Sequence, residues 1–237
     1  MNKSVVIWLL PLSLLSCDRS FETVTITREL PAFDQIMLNS SFLVYISEEP
    51  LHRITIEAAE DIAQKTTVGV NNRILAVQSK FKSQWLRPDD NKIILRISLP
   101  SLKLISVNES CLVVTITPIT SDSLTMFFKT KLNEARIDLD GSIFESYNEF
   151  PCGGLLTLTG NSPRITIWND ALMTVDAQDL VAVDALVQNG SKGSCKVRVT
   201  NRLDYSIRGE GNIYSYGIPA RVVEGEVSST GRLIFRY

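Results

Sequence analysis

The sequence contains very few of the residues that catalytic and metal sites commonly use. Its 237 residues include one histidine, His52, and four cysteines. Ser–His and Cys–His catalysis needs a base beside the nucleophile, and a lone histidine gives few ways to provide one. The sequence has neither the ligand spacing of a zinc site nor a glycine-rich phosphate loop that opens a helix. We therefore predict a non-enzymatic protein with no catalytic residue, no metal and no cofactor.

An excess of charge of either sign is also missing. There are 24 Lys and Arg against 26 Asp and Glu, which gives a formal net charge of -2. Proteins that bind nucleic acid usually carry a basic patch or stripe, and no run of like charge occurs here. We expect no nucleic-acid partner.

The first residues are typical of an export signal. Lys3 precedes the apolar stretch 5–12, which is too short to span a bilayer. Leu14-Leu15-Ser16-Cys17 resembles a bacterial lipobox, in which processing leaves a lipidated cysteine at the new N-terminus. We predict a signal peptide over 1–16, lipid on Cys17 and a tether over 17–27, with one domain over 28–237. The alternative is a simple secretory signal with an incidental cysteine.

Three cysteines remain after lipidation, namely Cys111, Cys152 and Cys195. An odd number in an exported protein leaves at least one free thiol. We expect buried thiols that pack as small hydrophobes, with a disulfide as the alternative. Cys111 and Cys195 each follow a serine in a turn, which predicts equivalent positions in a repeat.

Short segments of alternating polar and apolar residues make up most of the chain, as in Ile36 to Ile46 and Arg164 to Trp168. This alternation predicts half-buried strands. Residues 59–65 are the sole helix-like stretch, and residues 68–77 predict a hairpin with Asn71-Asn72 in its turn. The fold class is therefore all-β.

Tight turns of small residues separate the strands at intervals of roughly 20 to 30 residues, a spacing that indicates a solenoid. The clearest turn lies in 207–214, and similar ones lie in 106–110, 159–163, 191–194 and, more loosely, 228–231. We predict a right-handed β-helix-like solenoid of stacked short strands, with a β-sandwich as the alternative. Glycine suits such turns because it accepts positive φ, which we expect at Gly211.

The segment 203–219 resembles the closing coil of the putative auto-transporter adhesin, head GIN domain family. Segments 33–36, 42–44, 54–58 and 97–102 are similar to earlier strands of the same family. The resemblance spans about residues 28–235. It implies a β-helix-like lipoprotein or secreted protein of Bacteroidetes-type bacteria, for which no catalytic residues are agreed. It also implies structural roles in turns for Gly209, Gly211, Asn212, Gly217 and Pro219, together with Gly160 and Ser110.

Exposed aromatic rings are the best binding candidates in the sequence. Trp85 lies in a polar segment, and Tyr214 and Tyr216 share one strand face. These rings, with Trp168, would stack against sugars or peptides, and the alternative is ordinary packing. Asp138 and Asp140 also share a face, as paired carboxylates of a glycosidase would, but a solvated strand face explains them equally well. Calcium binding there or near Asp170 and Asp176 needs more convergent oxygens than the sequence shows.

We therefore predict a lipid-anchored cell-envelope protein that acts as a non-enzymatic adhesin. Its partners would be the membrane, through the lipid, and a glycan or protein ligand. We place it at the outer membrane, with its periplasmic or exterior location left open. One alternative is a carbohydrate-active β-helix enzyme, which a groove combining acidic residues with Lys or Arg would favour. Another is a structural envelope component that binds a membrane protein.

Overall fold

The chain forms an all-β structure in the computed structural model, which describes residues 22–81, 92–129, 132–148 and 151–236. Eighteen strands and one short helix are found in these ranges. In chain order they are β1 (Thr23–Glu29), β2 (Gln35–Leu38), β3 (Leu43–Glu48), β4 (Arg53–Ala59), α1 (Glu60–Ala63), β5 (Thr66–Asn71), β6 (Ile74–Ser79), β7 (Ile94–Leu99), β8 (Leu104–Val107), β9 (Leu112–Thr115), β10 (Ser123–Phe128), β11 (Leu132–Asp140), β12 (Ile143–Asn148), β13 (Gly153–Asn169), β14 (Leu172–Asn189), β15 (Cys195–Ile207), β16 (Ile213–Tyr216), β17 (Arg221–Val227) and β18 (Leu233–Arg236). No helix in these ranges is long and apolar enough to cross a membrane.

The strands stack in parallel, so that each lies beside the strand of the neighbouring turn. Phe144 on β12 lies beside Ile165 on β13, which in turn lies beside Ala185 on β14. Each turn of the chain contributes one strand to each of two faces. The β11 face contains β3, β7, β9, β11, β16, β18 and the first parts of β13, β14 and β15. The β12 face contains β2, β6, β8, β10, β12, β17 and the second parts of β13, β14 and β15. The solenoid prediction is thus confirmed, and the β-sandwich alternative is not the fold.

The core lies between the two faces and follows directly from the alternating sequence. Ile36, Val44, Val113 and Phe144 are fully buried, while the residues between them point outward. Every turn buries its apolar side chains only against its neighbours in the stack, as expected of a solenoid.

The first turns of the solenoid are not stacked in chain order. β2 pairs with β8 on one side and with β6 on the other, and β3 pairs likewise with β9 and β7. The inserted segment 53–99 therefore supplies the end turn, through β6 and β7. Its remaining parts cover that end, because β4 pairs antiparallel with β7, β5 pairs antiparallel with β6, and α1 buries Ile62 and Ala63.

The N-terminal strand changes the domain boundary predicted from the sequence. β1 pairs antiparallel with β4 along its whole length, from Thr23 to Glu29. Residues 23–27, which we assigned to a tether, thus belong to the cap of the solenoid. The predicted hairpin at 68–77 is confirmed as β5 and β6, but its turn is Asn72-Arg73, both with positive φ, since Asn71 is still part of β5.

Buried polar side chains hold the corners of successive turns together. Ser162 donates to the Ser142 carbonyl at 2.6 Å, and Ser142 donates to the Ile119 carbonyl at 2.8 Å. At another corner, the Asn169 amide donates to Asn189 Oδ1 at 2.9 Å, and the Asn189 amide donates to the Gly211 carbonyl at 2.8 Å. Corners leave backbone groups without a ladder partner, and these side chains satisfy them.

The opposite end of the solenoid is closed differently. β17 and β18 form the last turn in the described residues, and Val222 and Val227 there are 39% and 44% exposed. Glu224 lies beside Tyr205 and accepts a hydrogen bond from its phenol. A charge in the register of the core discourages further strands from adding to this edge.

Candidate functional site

Three aromatic side chains form a row on the outside of the β12 face. Phe127, Tyr147 and Trp168 are register partners on β10, β12 and β13. The ring centroids of Phe127 and Tyr147 are 5.3 Å apart, and those of Tyr147 and Trp168 are 5.7 Å apart. The distances follow from the strand spacing of about 4.8 Å in a parallel sheet.

The orientations of the rings determine which one a ligand can contact. Phe127 and Tyr147 are nearly parallel, at 19°, so that each covers a face of the other. Trp168 is tilted by 56° to Tyr147 and is 42% exposed. Trp168 is therefore the accessible ring of the row, and Tyr147 restricts its movement.

The surroundings of the Tyr147 phenol raise its pKa. Partial burial raises its pKa, and the neighbouring Glu145 carboxylate raises it further. Tyr147 Oη donates to Glu145 Oε2 at 3.3 Å. The phenol thus remains protonated and stays a hydrogen-bond donor at neutral pH.

A shallow groove of about 330 Å³ lies on the same face, next to Trp168. Thr166 is in the groove and lies two residues before Trp168 on β13, so that their Cα atoms are about 7 Å apart. We call this feature the Trp168 groove, and its lining residues are Arg164, Thr166, Asp184, Ala185, Leu186, Arg202 and Asp204.

The charges of the Trp168 groove are arranged in one row across three strands. Arg164 lies beside Asp184, and Asp184 lies beside Arg202. Arg202 Nε donates to Asp204 Oδ1 at 2.8 Å, and this bond raises the pKa of Arg202. The Asn201 amide donates to Asp184 Oδ1 at 2.7 Å. The Arg164 guanidinium has no hydrogen-bond or ion-pair partner in the parts of the chain that the structure describes.

A different surface on the β11 face is mainly apolar. Leu112, Leu132 and Leu155 line a depression of about 370 Å³. Leu132 is 69% exposed, and Leu172, which shares its neighbour Gly153, is 63% exposed. The two depressions therefore differ in chemistry, because the Trp168 groove is lined mainly by charged and polar side chains and the depression around Leu132 mainly by apolar ones.

The tyrosines predicted as binding residues are on the β11 face, near the end of the solenoid. Tyr214 and Tyr216 point outward from β16, as their spacing predicts. Arg236 lies over the Tyr214 ring at 5.4 Å, and the Asn212 amide donates to Tyr214 Oη at 3.2 Å. Through these two contacts, the ring and the hydroxyl group of Tyr214 are packed against neighbouring residues. Trp85 and Cys17 lie outside the described residues.

The paired carboxylates are engaged with neighbouring strands. Thr159 donates to Asp138 at 2.9 Å, and Asn161 donates to Asp140 at 3.1 Å. Asp176 pairs with Lys196 at 2.8 Å. In the described ranges, no three His, Cys, Asp or Glu side chains are placed to bind a metal ion.

His52 has a structural environment. It is half-buried, its ring lies edge-on to Phe33 at 5.2 Å, and its Nε2 is 3.1 Å from the Phe33 carbonyl oxygen. These contacts are part of the packing around β4.

Glycine is required at positions 209 and 211 for a different physical reason from the positive φ that we predicted. Gly211 does not have positive φ. A Cβ atom there would lie 1.9 Å from the Gly193 carbonyl oxygen, and one at Gly209 would lie 2.2 Å from the Ser191 carbonyl oxygen. Glycine is needed at these two positions because successive turns approach closely.

The other residues that we predicted to have structural roles in turns differ in backbone conformation and in location. Gly160 and Gly217 do have positive φ, at 92° and 96°. Gly160 is a corner inside the continuous strand β13, however, and is not a turn between two strands. Pro219 is buried after β16, and Ser110 lines the apolar depression.

Cys111, Cys152 and Cys195 are all buried free thiols. Burial raises the pKa of Cys111 and of Cys195 to about 12, and it also raises the pKa of Cys152. Cys195 is in the inward row that contains Val175, Leu156, Ala135 and Val113. Cys111 lies just before β9, two residues ahead of Val113 in that row, so the predicted equivalence of Cys111 and Cys195 is wrong.

Sequence reasoning named Trp168 but missed the Trp168 groove. Its residues come from three strands in successive turns of the solenoid, and only the register brings them together. The signal that was available is the outward position of Arg164, Asp184 and Arg202 in successive repeats.

The fold and the outer faces define a β-solenoid protein whose exposed side chains lie on two sheet surfaces. The chain belongs to the putative auto-transporter adhesin, head GIN domain family, whose model matches residues 32–219. No functionally curated protein matches it.

Solved structures of similar fold include proteins from Bacteroides and Parabacteroides species. A putative adhesin from Bacteroides fragilis has a TM-score of 0.79 at 18% identity, over 92% of this chain and 98% of its own. A putative adhesin from Parabacteroides merdae has a TM-score of 0.56 at 16% identity, over 92% and 98%. A putative lipid binding protein from Parabacteroides distasonis has a TM-score of 0.56 at 14% identity, over 91% and 98%. At these identities the likeness shows the shared fold.

Proposed function

We propose that this protein is a lipid-anchored adhesin of the cell envelope that binds its ligand without chemical change. The observation that carries the proposal is the Trp168 groove with the exposed Trp168 ring beside it, where an aromatic surface and several polar side chains are held on a rigid sheet. Groups fixed by strand pairing lose little freedom on binding, which favours recognition. The family and two of the similar solved structures are described as putative adhesins, which supports the same role.

The anchor in this proposal is lipid on Cys17, outside the described residues. Processing at Ser16-Cys17 would leave the tether between the lipid and β1. One acyl chain binds a membrane only marginally, so stable anchoring requires more than one chain on the cysteine. The solenoid would then be held at the outer membrane with its β12 face free for ligand.

The anchor is tested by the variant Cys17→Ala in the native bacterium or a related host. The change is expected to move the protein from the membrane fraction to the soluble fraction, or to leave unprocessed precursor. A matched control is Ser16→Ala, which keeps a small residue before the cysteine and is expected to remain membrane-bound. Retention of the Cys17→Ala protein as a processed membrane species would contradict lipid anchoring.

The binding role is tested by adhesion of cells that display the chain. Cells with the wild-type protein are expected to attach to immobilised polysaccharide or matrix protein at least several-fold more than cells without it. Equal attachment, together with capture of one stoichiometric envelope protein, would instead favour the structural role. The apolar depression around Leu132 is the surface that favours such a partner.

A carbohydrate-active enzyme is the second candidate, because the Trp168 groove combines Asp184 and Asp204 with Arg164 and Arg202. A glycosidase needs one carboxyl group that stays protonated to serve as the acid. Both carboxyl groups already accept hydrogen bonds inside the groove, Asp204 from Arg202 and Asp184 from Asn201. These contacts favour binding over hydrolysis. The appearance of new reducing ends in a polysaccharide incubated with the protein would support the enzyme.

A further inference from the structure

We propose that the Trp168 groove is a binding site for a polysaccharide that contains uronic acid. The inference rests on the proposed binding function and adds the class of ligand and the residues that contact it. Trp168 supplies the stacking surface, the Arg202–Asp204 and Asn201–Asp184 pairs contact hydroxyl groups, and Arg164 binds the carboxylate.

The first argument is the state of Trp168. Its ring is tilted out of the aromatic row and is 42% exposed, although large aromatic side chains are usually well buried. The ring is packed against Tyr147 and is therefore already oriented before any ligand binds. An apolar, oriented ring beside polar groups suits the C–H face of a pyranose, which has hydroxyls around its edge.

The second argument is the set of fixed polar groups next to the ring. Each sugar hydroxyl both donates and accepts hydrogen bonds, so a site for it needs donors and acceptors close together. The Arg202–Asp204 pair, joined by a hydrogen bond of 2.8 Å, provides a donor group and an acceptor group. The Asn201–Asp184 pair, joined by a hydrogen bond of 2.7 Å, provides the same two kinds of group. Because these side chains already hold one another, a ligand need not order them.

The third argument is Arg164, which distinguishes an acidic from a neutral polysaccharide. Its guanidinium has no partner in the described parts of the chain, whereas Arg202 in the same groove is paired. A guanidinium fork matches a carboxylate with two parallel hydrogen bonds. The groove therefore has one unused cationic group that a uronic acid carboxylate would fill.

The fourth argument excludes a protein as the preferred occupant of this face. The centre of a protein interface is usually apolar and depleted in charge. The Trp168 groove is lined by four charged side chains and lies beside one exposed ring, while an apolar depression is on the β11 face around Leu132. The charged row runs across β13, β14 and β15, so a linear polymer along the solenoid axis would contact each strand in turn.

The test measures binding of the purified full chain, in detergent, to three uronic acid polymers: polygalacturonate, alginate and hyaluronate. We expect the wild-type chain to bind at least one of them, and to bind it more tightly than the neutral polymer dextran. Trp168→Ala and Arg164→Gln are each expected to weaken that binding tenfold or more. Trp168→Phe, which keeps an aromatic ring, is expected to recover part of the affinity.

Two control variants show whether a loss of binding is specific to the Trp168 groove. Tyr214→Ala removes an outward ring of the β11 face, and Arg28→Gln removes a cation from the cap strand β1. Both are expected to bind like the wild type. Thermal unfolding of every variant shows whether a loss of binding reflects a loss of structure.

The outcomes separate this inference from the proposed function. Binding that Tyr214→Ala abolishes and Trp168→Ala leaves unchanged would overturn the site. Absence of binding to all three polymers, while displaying cells still adhere to matrix protein, would overturn the ligand class and leave the adhesin proposal standing. Shortening of the polymers by the wild-type chain would overturn the binding function itself.

Discussion

Single buried groups set how this protein responds to pH. Cys195 is fully buried, and its sulfur accepts a hydrogen bond from the Asn169 amide at 3.3 Å. Burial disfavours the thiolate and raises the pKa of the thiol to about 12. Cys111 and Tyr205 behave alike, since burial raises the pKa of each to about 12.

The direction of the pH effect follows from these raised pKa values. A group whose pKa is higher in the folded state keeps its full contribution below its unfolded pKa and loses it as the pH rises toward the folded value. For Cys195 the window runs from 9.0 to about 12. The free energy of unfolding should therefore decrease on the alkaline side, by about 1.4 kcal/mol per pH unit for each such group.

We predict that Cys195→Ala reduces this alkaline loss. Between pH 7.5 and pH 10.5 the wild-type chain should lose about 2 kcal/mol through Cys195, and the variant should not. The measurement is urea unfolding at both pH values, with Thr25→Ala at an exposed position of β1 as the control. An identical alkaline decrease in wild type and Cys195→Ala would contradict the role of the buried thiol.

The pKa of one buried carboxyl group, that of Asp34, is shifted in the opposite direction. Asp34 is buried, which by itself would raise its pKa, but hydrogen bonds from Arg73 and Lys103 outweigh burial and lower it. The distances to Asp34 Oδ2 are 3.0 Å and 3.1 Å. Its contribution to stability is thus present above the unfolded pKa and is lost as the pH falls through the folded one.

At the scale of the element, the tight turns are determined by contact between neighbouring turns of the solenoid. The carbonyl oxygens of Ser191 and Gly193 occupy the space where side chains at Gly209 and Gly211 would lie. The same corner is held by the Asn189 amide, which donates to the Gly211 carbonyl. Stacking distance, and not backbone handedness, makes glycine necessary there.

We predict that Gly211→Ala lowers the free energy of unfolding by about 1–3 kcal/mol, because the added methyl group forces backbone shifts in a packed corner. Gly69→Ala is the matched control, since nothing lies within 4 Å of a Cβ atom at Gly69 in β5. The control is expected to change stability by less than about 0.5 kcal/mol. Equal unfolding midpoints for the two variants would contradict the close-contact explanation.

At the scale of the whole molecule, the two ends of the solenoid are closed by different devices. The first end is covered by β1, β4, β5 and α1, and the last has the Tyr205–Glu224 pair in the register of the core. Terminal repeats that hide the core keep repeat proteins soluble. The cap is thus as important to the behaviour of the protein as the solenoid itself.

We predict that Ile62→Asp destabilises the chain by about 3–5 kcal/mol and promotes self-association. Ile62 is fully buried in α1, and an unpaired charge there would leave the end of the core exposed. Gln64→Asp, at an exposed position just after α1, is the control. Thermal unfolding and light scattering check both effects, and a monomeric Ile62→Asp chain of normal stability would contradict the role of the cap.

Much of the architecture is predictable from local sequence. Alternating residues such as those of β12 determine which side chains point inward, because successive side chains in a strand face opposite ways. The regular recurrence of tight turns predicts stacked coils, and the hairpin at Asn72 follows from its turn residues. The start of the folded domain was less predictable, because β1 becomes a strand only through its pairing with β4.

What the sequence alone determined is the repeating strand pattern, the all-β class and the family. What only the tertiary structure decided is the order in which turns stack and the groups that meet on the outer faces. β6 and β7 precede β2 and β3 in space although they follow them in the chain, because pairing over long sequence separations is governed by the whole core. Arg164, Asp184 and Arg202 form one groove for the same reason, since strand register places residues from successive turns side by side.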